Sequence, residues 1–251
     1  MSKTTDGRCR LDQAVVSGGL APSRSRAQDL IRRGYVVVDG VIVTKTGWLV
    51  PDRASITICG SAPDFVSRGA EKLSAALDAF DFDPAGRVAI DVGASTGGFS
   101  DVLLRRDVAR VYAVDVGRGQ LHPSIASDAR VVDLEQTDAR VLDRCLIPDR
   151  VSAIVADVSF ISLSKVLGPA MALAVPGAWL VCLIKPQFEV GPGRVGKGGI
   201  VTDGQVRDQA VESVRDWFAG QSGWQDRGLI PSPIVGGDGN REYLIGAIRH
   251  D

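Results

Sequence analysis

A short apolar run followed by a glycine-rich turn, at residues 88–100, constrains the fold more than any other part of the chain. Val88–Val92 is apolar except for Asp91, and glycines follow at positions 93, 97 and 98. A run of this length that ends in glycines predicts a buried strand, a tight turn and the start of a helix. Because glycine has no Cβ, the turn lets the backbone come close to a ligand. This order of elements is typical of an open α/β sheet, where ligands bind beyond the carboxyl ends of the strands.

The residue types in this turn favour a cationic cofactor over a dinucleotide. A dinucleotide site needs G-x-G-x-x-G, but the pattern from Gly93 is G-x-x-x-G-G, with Ser95 in place of the second glycine. Asp91 would repel a pyrophosphate and attract the ammonium and sulfonium groups of S-adenosylmethionine. Asp115 ends the next apolar run about 20 residues later, where a carboxylate commonly accepts ribose hydroxyls. We therefore expect S-adenosylmethionine; the alternative is a structural turn with two incidental acids.

Apolar runs along the body of the chain alternate with amphipathic or polar segments, which is the βαβ rhythm of a parallel sheet. A first helix is expected to open at Ser67 and to continue through Leu77. The predicted strands are 88–92, 111–114, 151–156, 178–184 and 243–248, and the later helices are 98–106, 124–128, 162–174 and 203–219. The body thus predicts a Rossmann-like α/β fold with a doubly wound, mostly parallel sheet.

Charge is distributed unevenly along the chain. Of 251 residues, 45% are hydrophobic, which is enough for one large core and a small second domain. The formal net charge is −1, yet residues 1–60 contain nine lysines and arginines against five acids. A basic first segment suggests contact with a polyanion, although random drift in a short segment is the alternative.

Cysteine, histidine and hydropathy patterns argue against several classes of protein. The four cysteines include no C-x-x-C pair and the chain has two histidines, so neither a zinc site nor a disulfide framework is predicted. No apolar run approaches the roughly 18 residues of a membrane span, and the first residues do not form a hydrophobic signal region. We expect a cytoplasmic protein without a metal centre.

Residues 1–60 predict a small α+β domain with a basic helix. Helical spacing at residues 11–15 and 23–33 predicts two short helices, the second capped by Ser23 and stopped by Gly34. Its arginines should project away from the apolar face as a solvent-facing basic ridge. Asp39-Gly40 between two β-branched runs predicts a hairpin with a type I′ turn, and residues 55–58 predict a further strand.

Motif residues in this first segment are spaced as in a known RNA-binding module. They are Arg10-Leu11-Asp12, Gly19-Leu20, Ser23-Arg24-Ser25-Arg26-Ala27, Leu30-Ile31, Gly34, Val36, Val38 and Gly40. The pattern resembles the S-four-like (S4) RNA-binding domain, which we place at residues 1–60 and follow with a linker at 61–66. The resemblance implies contacts to the phosphates of folded RNA, made by Arg10, Arg24, Arg26, Arg32 and Arg33. A basic but inert capping domain is the alternative.

Charged residues end the apolar runs of the body. Asp157 and Lys185 each follow a predicted strand, so both should emerge at the same edge of the sheet as Asp91 and Asp115. With Lys72 and Glu242, two lysines and two acids could converge near the methyl group of the cofactor. A second cation favours the neutral amine on one lysine, which can then act as a general base. The alternative for each residue is an ordinary solvent-facing position.

Four motifs of the body carry a second resemblance. They are Ser67-Arg68-Gly69-x-x-Lys72-Leu73, Asp91-Val92-Gly93-Ala94-Ser95-Thr96-Gly97-Gly98-Phe99, Asp157-Val158-Ser159-Phe160-Ile161-Ser162 and Lys185-Pro186-Gln187-Phe188-Glu189. Residues 67–251 resemble the FtsJ-like ribose 2′-O-methyltransferases, which are class I enzymes dependent on S-adenosylmethionine. Combined with the first segment, the chain is similar to the TlyA family of ribosomal RNA (cytidine-2′-O)-methyltransferases.

The resemblance implies a role for individual residues of this chain. A Lys-Asp-Lys-Glu tetrad falls on Lys72, Asp157, Lys185 and Glu242, and Asp138 corresponds to an adenine contact. The cofactor site that the glycine turn and the resemblance imply comprises Ser67, Arg68, Asp91, Gly93, Ser95, Thr96, Gly97, Gly98, Phe99, Asp115, Asp138 and Asp157. The implied reaction is displacement at the methyl carbon of the donor by a ribose 2′ oxygen, with Lys185 as the base and Asp157 and Lys72 positioning it.

A glycine loop at residues 191–197 imitates a phosphate loop. It spells G-x-x-x-x-G-K, but Gly198 stands where Ser or Thr would hold Mg²⁺, and no strand directly precedes the loop. We expect Arg194 and Lys197 to touch RNA backbone instead.

Two other functions stay open from the sequence. One is an RNA-binding protein on an inactive methyltransferase fold, against which the four tetrad positions speak. The other is a small-molecule methyltransferase, for which a basic first segment has no use. A methyl-transfer assay on ribosomal RNA tests the first, and removal of residues 1–60 tests the second.

Overall fold

The computed structural model describes residues 7–60, 65–191 and 193–250, and the chain divides into two compact units, residues 1–64 and 65–251. Residues 61–64 of the expected linker lie outside the described residues, as does Pro192 of the glycine loop. Phe65 and Val66, the rest of that expected linker, pack against the core of the second unit, and the Val66 amide donates to Asp101 Oδ2 at 2.9 Å. These two residues therefore belong to the second unit.

The first unit is a small α+β domain. Its helices are α1 (Leu11–Ser17) and α2 (Arg24–Arg32), and its strands are β1 (Arg8–Arg10), β2 (Val36–Val38), β3 (Val41–Ile42), β4 (Leu49–Pro51) and β5 (Ile56–Ile58). β1 pairs with β4, and β2 lies between β3 and β5, all antiparallel. The sequence did not predict β1 or β4, because β1 has an arginine at each end and β4 ends in a proline, so neither shows the β-branched run that identified β2, β3 and β5.

Local sequence explains why α2 and the hairpin form. The Ser23 hydroxyl accepts a hydrogen bond from the Arg26 amide at 3.2 Å, which caps α2, and Gly34 follows the helix with a φ of 76°. Asp39 and Gly40 have φ values of 49° and 83°, the left-handed conformations that a type I′ turn requires. The predicted cap and hairpin are confirmed.

The second unit is built on a seven-stranded sheet. Its strands are β6 (Val88–Val92), β7 (Arg110–Val114), β8 (Val131–Leu134), β9 (Val151–Ala156), β10 (Ala174–Ile184), β11 (Trp224–Pro231) and β12 (Tyr243–Arg249). They lie in the order β11-β12-β10-β9-β6-β7-β8, and all neighbours are parallel except for β12, which is antiparallel to β10 and β11. The predicted Rossmann-like, mostly parallel sheet is confirmed.

The two edge strands of the sheet, β8 and β11, were not predicted from the sequence. β8 has four residues and includes Asp133, and β11 alternates exposed with half-buried residues along most of its length. Central parallel strands are covered on both faces and are apolar throughout, whereas an edge strand can include polar residues. The continuous apolar run that identified the central strands is therefore absent from both edges.

Helices cover both faces of the sheet. They are α3 (Gly69–Phe80), α4 (Gly98–Arg105), α5 (Pro123–Ala126), α6 (Leu167–Leu173), α7 (Pro186–Glu189) and α8 (Gly204–Ala219). Strand side chains alternate between faces, so Ile90 and Ile154 join the core with α6 and α8, whereas Ala89 and Ala153 join the core with α3 and α4.

One long helix predicted over residues 162–174 is wrong. A 3₁₀ turn at Leu163–Lys165 precedes α6, which starts at Leu167. Pro169 has no N–H to donate and its ring clashes with the preceding turn of a helix interior, so it can occupy only the first turn. The helix therefore begins two residues before that proline.

Candidate active site

Charged residues converge at one edge of the sheet, where the parallel strands end. β6 is in register with both β7 and β9, so these three strands end together. Asp91 lies near the end of β6, Asp115 and Asp157 directly follow β7 and β9, and Lys185 follows β10. The predicted convergence of these four residues on one edge is confirmed.

The turn after β6 is held tightly against the neighbouring strand ends. Gly93 has a φ of 81°, and a Cβ at this position would lie 2.6 Å from the backbone oxygen of Asp157, so only glycine fits. The Asp115 carboxylate binds the same turn: Oδ2 accepts from the Ser95 amide at 2.8 Å and Oδ1 from the Gly117 amide at 2.7 Å. Each oxygen has a second lone pair, so Asp115 can also accept a hydroxyl group of a ligand.

Asp91 is fully buried behind this turn. Its Oδ2 accepts from the Ser100 hydroxyl at 2.7 Å, while Oδ1 has no hydrogen-bond partner among the described residues. Burial raises the pKa of Asp91 to about 7; the Ser100 hydrogen bond opposes the rise, and the charges of Asp157 and Asp115 add to it. The side chain is therefore a partly protonated group behind the turn.

A cavity of about 470 Å³ opens in front of the turn. Five of the predicted cofactor residues line it: Gly93, Ser95, Asp115, Asp138 and Asp157. Small-molecule sites have volumes of roughly 300–1,000 Å³, so the cavity is large enough for S-adenosylmethionine. Three carboxylates and one guanidinium, that of Arg140, line it, so the net charge of the lining is negative and suits a ligand that carries positive charge.

The other predicted cofactor residues lie outside this wall. They are Ser67, Arg68, Asp91, Thr96, Gly97, Gly98 and Phe99. A Cβ on Gly98 would collide with the Ser67 hydroxyl, so this glycine lets the segment before α3 touch the start of α4. Phe99 is buried in the core and Thr96 is exposed. None of the seven lines the cavity.

Asp138 places a negative charge in the cavity wall. Its side chain accepts from the Arg140 amide at 2.9 Å, which caps the 3₁₀ turn Ala139–Val141, and it pairs with the Arg140 guanidinium. The hydrogen bonds from Arg140 lower the pKa of Asp138 to about 2. Asp138 is thus an ionised acceptor at neutral pH, able to bind an amino group.

The four tetrad positions form two ion pairs. Lys185 Nζ lies 2.6 Å from Asp157 Oδ1 and donates to the Ser159 hydroxyl at 2.9 Å. Lys72 Nζ lies 2.5 Å from Glu242 Oε2, and these two side chains are only 9% and 3% exposed.

The two ion pairs are neighbours. A Cβ on Gly69, the first residue of α3, would lie 3.6 Å from Asp157 Oδ2, and Lys72 is three residues further along the same helix. Residues three apart share one face of a helix. The face of α3 that carries Lys72 thus begins next to Asp157, which lines the cavity; Lys72 and Glu242 themselves do not line it.

Ser159 and Glu189 belong to this site, although the sequence analysis did not single them out. Glu189 Oε1 accepts from the Leu163 amide at 3.0 Å, and burial raises the pKa of Glu189. The rings of Phe160 and Phe188 lie 5.0 Å apart. These contacts and the Lys185–Asp157 pair join the segment after β9 to the segment after β10. Ser159 and Glu189 both lie inside the quoted motifs, which was the available signal.

Arginines of the first unit share carboxylates in pairs. Arg10 and Arg24 both bind the buried Asp12, at 3.1 and 3.0 Å. This pair is part of a cluster that also includes Gln28, whose Nε2 donates to Asp12 at 2.8 Å. The guanidinium hydrogen bonds hold the pKa of the Asp12 carboxyl well below its usual range, against the effect of burial.

The expected solvent-facing ridge on α2 is wrong in part. Arg26 and Arg33 lie 3.2 and 3.8 Å from Asp29, and the Arg26 side chain is only 12% exposed. Arg32 is exposed, as expected. The acid within the helix draws its arginine neighbours inward, because Asp29 lies three residues after Arg26 and four before Arg33.

The other two residues predicted to contact RNA lie in the second unit. Arg194 is exposed and donates to the side chain of Gln209 in α8, and Lys197 is exposed in a 3₁₀ turn at Lys197–Gly199. Residues 7–60, 65–191 and 193–250 contain no helix long and apolar enough to span a membrane.

Two family models match the chain. One, described as FtsJ-like methyltransferase, matches residues 65–249, and the other, described as S4 domain, matches residues 9–53.

Individual proteins match over nearly the whole length. A 16S/23S rRNA (cytidine-2′-O)-methyltransferase TlyA of Mycobacterium tuberculosis (strain CDC 1551 / Oshkosh) is 47% identical over 239 residues, 95% of this chain and 89% of that protein. A solved structure of a candidate hemolysin from Streptococcus thermophilus has a TM-score of 0.76 at 36% identity, covering 98% of this chain and 90% of that one. The O-methyltransferase TomG of Streptomyces achromogenes, solved with SAM, has a TM-score of 0.51 at 18% identity, covering 75% and 83%; this likeness shows the fold alone.

Proposed function

Since the chain belongs to the TlyA family of FtsJ-like methyltransferases, we propose that it methylates the 2′ oxygen of a cytidine ribose in ribosomal RNA, with S-adenosylmethionine as the methyl donor. The observation that carries this proposal is the ion pair between Lys185 and Asp157 beside an acidic cavity of suitable size. A lysine beside a cavity with carboxylates in its wall supports a reaction in which a hydroxyl loses its proton as a cationic donor loses its methyl group. The M. tuberculosis relative is named for the same substrate class.

The residues of the cavity fit the proposed donor. Asp115 would accept its ribose hydroxyls, Asp138 its adenine amino group, and the backbone at Gly93 and Ser95 would border the rest. When bound, S-adenosylmethionine supplies a methyl group on a positively charged sulfur, which an oxygen nucleophile can displace. The carboxylates in the wall favour that positive charge.

Lys185 is the proposed general base. As the neutral amine, Nζ would donate its two N–H groups to Asp157 and to the Ser159 hydroxyl and accept the proton of the ribose 2′ hydroxyl on its lone pair. The ammonium that results would release this proton to solvent before the next turnover. Lys72 and Glu242 support the same geometry from α3 and from the entry to β12. General base catalysis contributes roughly 10²- to 10⁴-fold, and alignment of the reacting groups roughly 7–11 kcal/mol.

The first unit supplies most of the proposed RNA contacts. Arg10, Arg24 and Arg32 expose guanidinium groups that can bind phosphates. Arg26 and Arg33 were also predicted to contact RNA, but both lie against Asp29 and have less exposed guanidinium surface to offer. In the second unit, Arg194 and Lys197 are proposed to touch the RNA backbone. A ribosomal substrate implies that the protein acts in the cytoplasm.

Methyl transfer to ribosomal RNA tests the proposal. The purified protein is incubated with S-adenosylmethionine and with ribosomal subunits from cells that lack this protein, and 2′-O-methyl positions are mapped. We expect new methylation at the 2′ oxygen of one or a few cytidines, and none without the donor. Methylation confined to bases or to small molecules would contradict the proposal. RNA binding without any transfer would instead support the alternative of an inactive RNA-binding protein.

A further inference from the structure

The first unit exposes a tryptophan next to its buried acid and arginine cluster. Trp48 is 51% exposed and directly precedes β4, in which Leu49 is the register partner of Arg10. An indole ring is a large apolar surface with a flat π face, and such rings are enriched where a binding partner covers them.

Backbone hydrogen bonds fix Trp48 beside the start of α1. Its carbonyl accepts from the Leu11 amide at 2.7 Å, and its own amide donates to the Lys45 carbonyl at 3.0 Å. The Thr46 carbonyl accepts from the Asp12 amide at 3.2 Å. The residue is therefore held at both its N–H and its C=O, so binding a ligand here orders little additional backbone.

The Asp12 carboxylate fixes the neighbouring guanidinium groups. Arg10 donates to both oxygens of Asp12 through Nε and Nη2, each at 3.1 Å, and Arg24 donates through Nε. The arginine side chains stay 41% and 53% exposed, whereas Asp12 is fully buried. Two cations share one anion, so the exposed part of the cluster is positive.

Gly47 lets the tryptophan segment lie against this cluster. A Cβ at position 47 would come 2.9 Å from Arg10 Nη1 and 3.4 Å from its Cζ, so a side chain there would push Arg10 away from Asp12. Trp48 follows immediately. An exposed tryptophan and two pre-oriented guanidinium groups thus belong to one small part of the first unit, joined through Gly47 and the backbone contact between Trp48 and Leu11.

We propose that Trp48, Arg10 and Arg24 form a site for one unpaired nucleotide of the RNA substrate, in which the indole stacks on the base and the guanidinium groups bind the flanking phosphates. Unpaired bases in folded RNA stack on aromatic side chains, and this stacking tolerates any base. The positive charge of Arg10 and Arg24 in the same part of the domain favours RNA over a protein segment as the occupant. The inference rests on the proposed function in taking the substrate to be ribosomal RNA.

Binding of the full chain to deproteinised 16S and 23S ribosomal RNA, measured at several salt concentrations, tests the site. Trp48→Ala should weaken binding roughly 5- to 150-fold without changing the slope of log affinity against log salt, because stacking releases no counterion. Trp48→Phe should keep most of the affinity. Arg24→Ala should make the slope shallower by about 0.7–0.9. Val41→Ala, at an apolar position in the hairpin that is even more exposed than Trp48, is the matched control and should bind as wild type does.

The outcomes separate this inference from the proposed function. If the wild type methylates ribosomal RNA but Trp48→Ala binds it with unchanged affinity, the nucleotide site is wrong and the proposed function stands. A loss that occurs with intact ribosomal subunits and not with deproteinised RNA would assign Trp48 to a protein contact and also overturn the site. If the wild type transfers no methyl group but Trp48→Ala binds RNA more weakly than the wild type does, the nucleotide site is supported and the proposed function is wrong. A wild type that neither binds the deproteinised RNA nor methylates ribosomal subunits would overturn both.

Discussion

The side chains of Lys72 and Glu242 form an ion pair that is almost entirely removed from water. Breaking such a pair from one side leaves the other charge buried without compensation. We expect Glu242→Ala to lower the free energy of unfolding of the second unit by about 3–5 kcal/mol, measured by chemical denaturation. Lys72→Met combined with Glu242→Ala should recover much of the loss, since no charge is then buried. A single Glu242→Ala variant as stable as the wild type would contradict this account of the pair.

Asp91 should make stability depend on pH in a direction opposite to that of most carboxylates. Its pKa rises from 3.8 in the unfolded chain to about 7 in the native state, so the native state retains a proton that the unfolded chain loses across this window. Stability therefore falls as the pH rises from about 4 to about 7, and levels off above. Asp91→Asn keeps an acceptor for Ser100 and removes the titration. The unfolding midpoint of Asp91→Asn minus that of the wild type should therefore increase between pH 4.5 and pH 8. A difference that stays constant over this range would show that burial does not raise the pKa of Asp91.

Two segments carry Lys185 and Asp157, and their relative position depends on contacts between elements. Glu189 in α7 accepts from the Leu163 amide, which begins the 3₁₀ turn after β9. We expect Glu189→Ala to slow methyl transfer by up to about 10²-fold, because small misplacements of reacting groups are costly. Glu189→Gln retains an acceptor oxygen and should keep most of the activity. Equal rates for the two variants in a single-turnover assay would show that this hydrogen bond does not position the site.

Secondary structure was predictable where an element consisted of an uninterrupted apolar run or was bounded by characteristic turn residues. The apolar runs at 88–92 and 151–156 gave strands with the expected bounds, and Asp39-Gly40 gave the hairpin. The edge strand β11 was not predictable, because it combines polar residues and a glycine with an irregular register at Asp226 and Gly228. The start of α6 could have been read from Pro169, which the apolar spacing of 162–174 concealed.

Site residues were predictable to different degrees across the molecule. Asp157 and Lys185 follow adjacent strands, so sheet topology alone brings them to one edge. Lys72 and Glu242 are 170 residues apart in the chain, and only the family resemblance suggested their partnership. The pairing of Arg10 and Arg24 on Asp12 was missed, because the sequence showed the charges but not which acid would be buried between them.

Because the molecule consists of two units, we expect the second unit to bind the methyl donor and the first unit to bind RNA. Removing residues 1–64 should leave donor binding by the second unit close to that of the full chain, since its cavity is lined by that unit alone. Transfer to ribosomal RNA should be lost, because the arginines proposed to bind phosphates are removed. Calorimetry with S-adenosylmethionine and a transfer assay measure the two effects. A truncated protein that methylates ribosomal RNA at the full rate would assign RNA recognition to the second unit.

The most direct test of the whole account is the rate of methyl transfer by Lys185→Ala, measured in a single turnover on the mapped cytidine together with its affinity for S-adenosylmethionine. The account predicts a rate lower by roughly 10²- to 10⁴-fold with donor affinity close to that of the wild type, and no loss in Lys165→Ala, an exposed lysine in the neighbouring 3₁₀ turn. A Lys185→Ala protein that transfers the methyl group at the wild-type rate would contradict it.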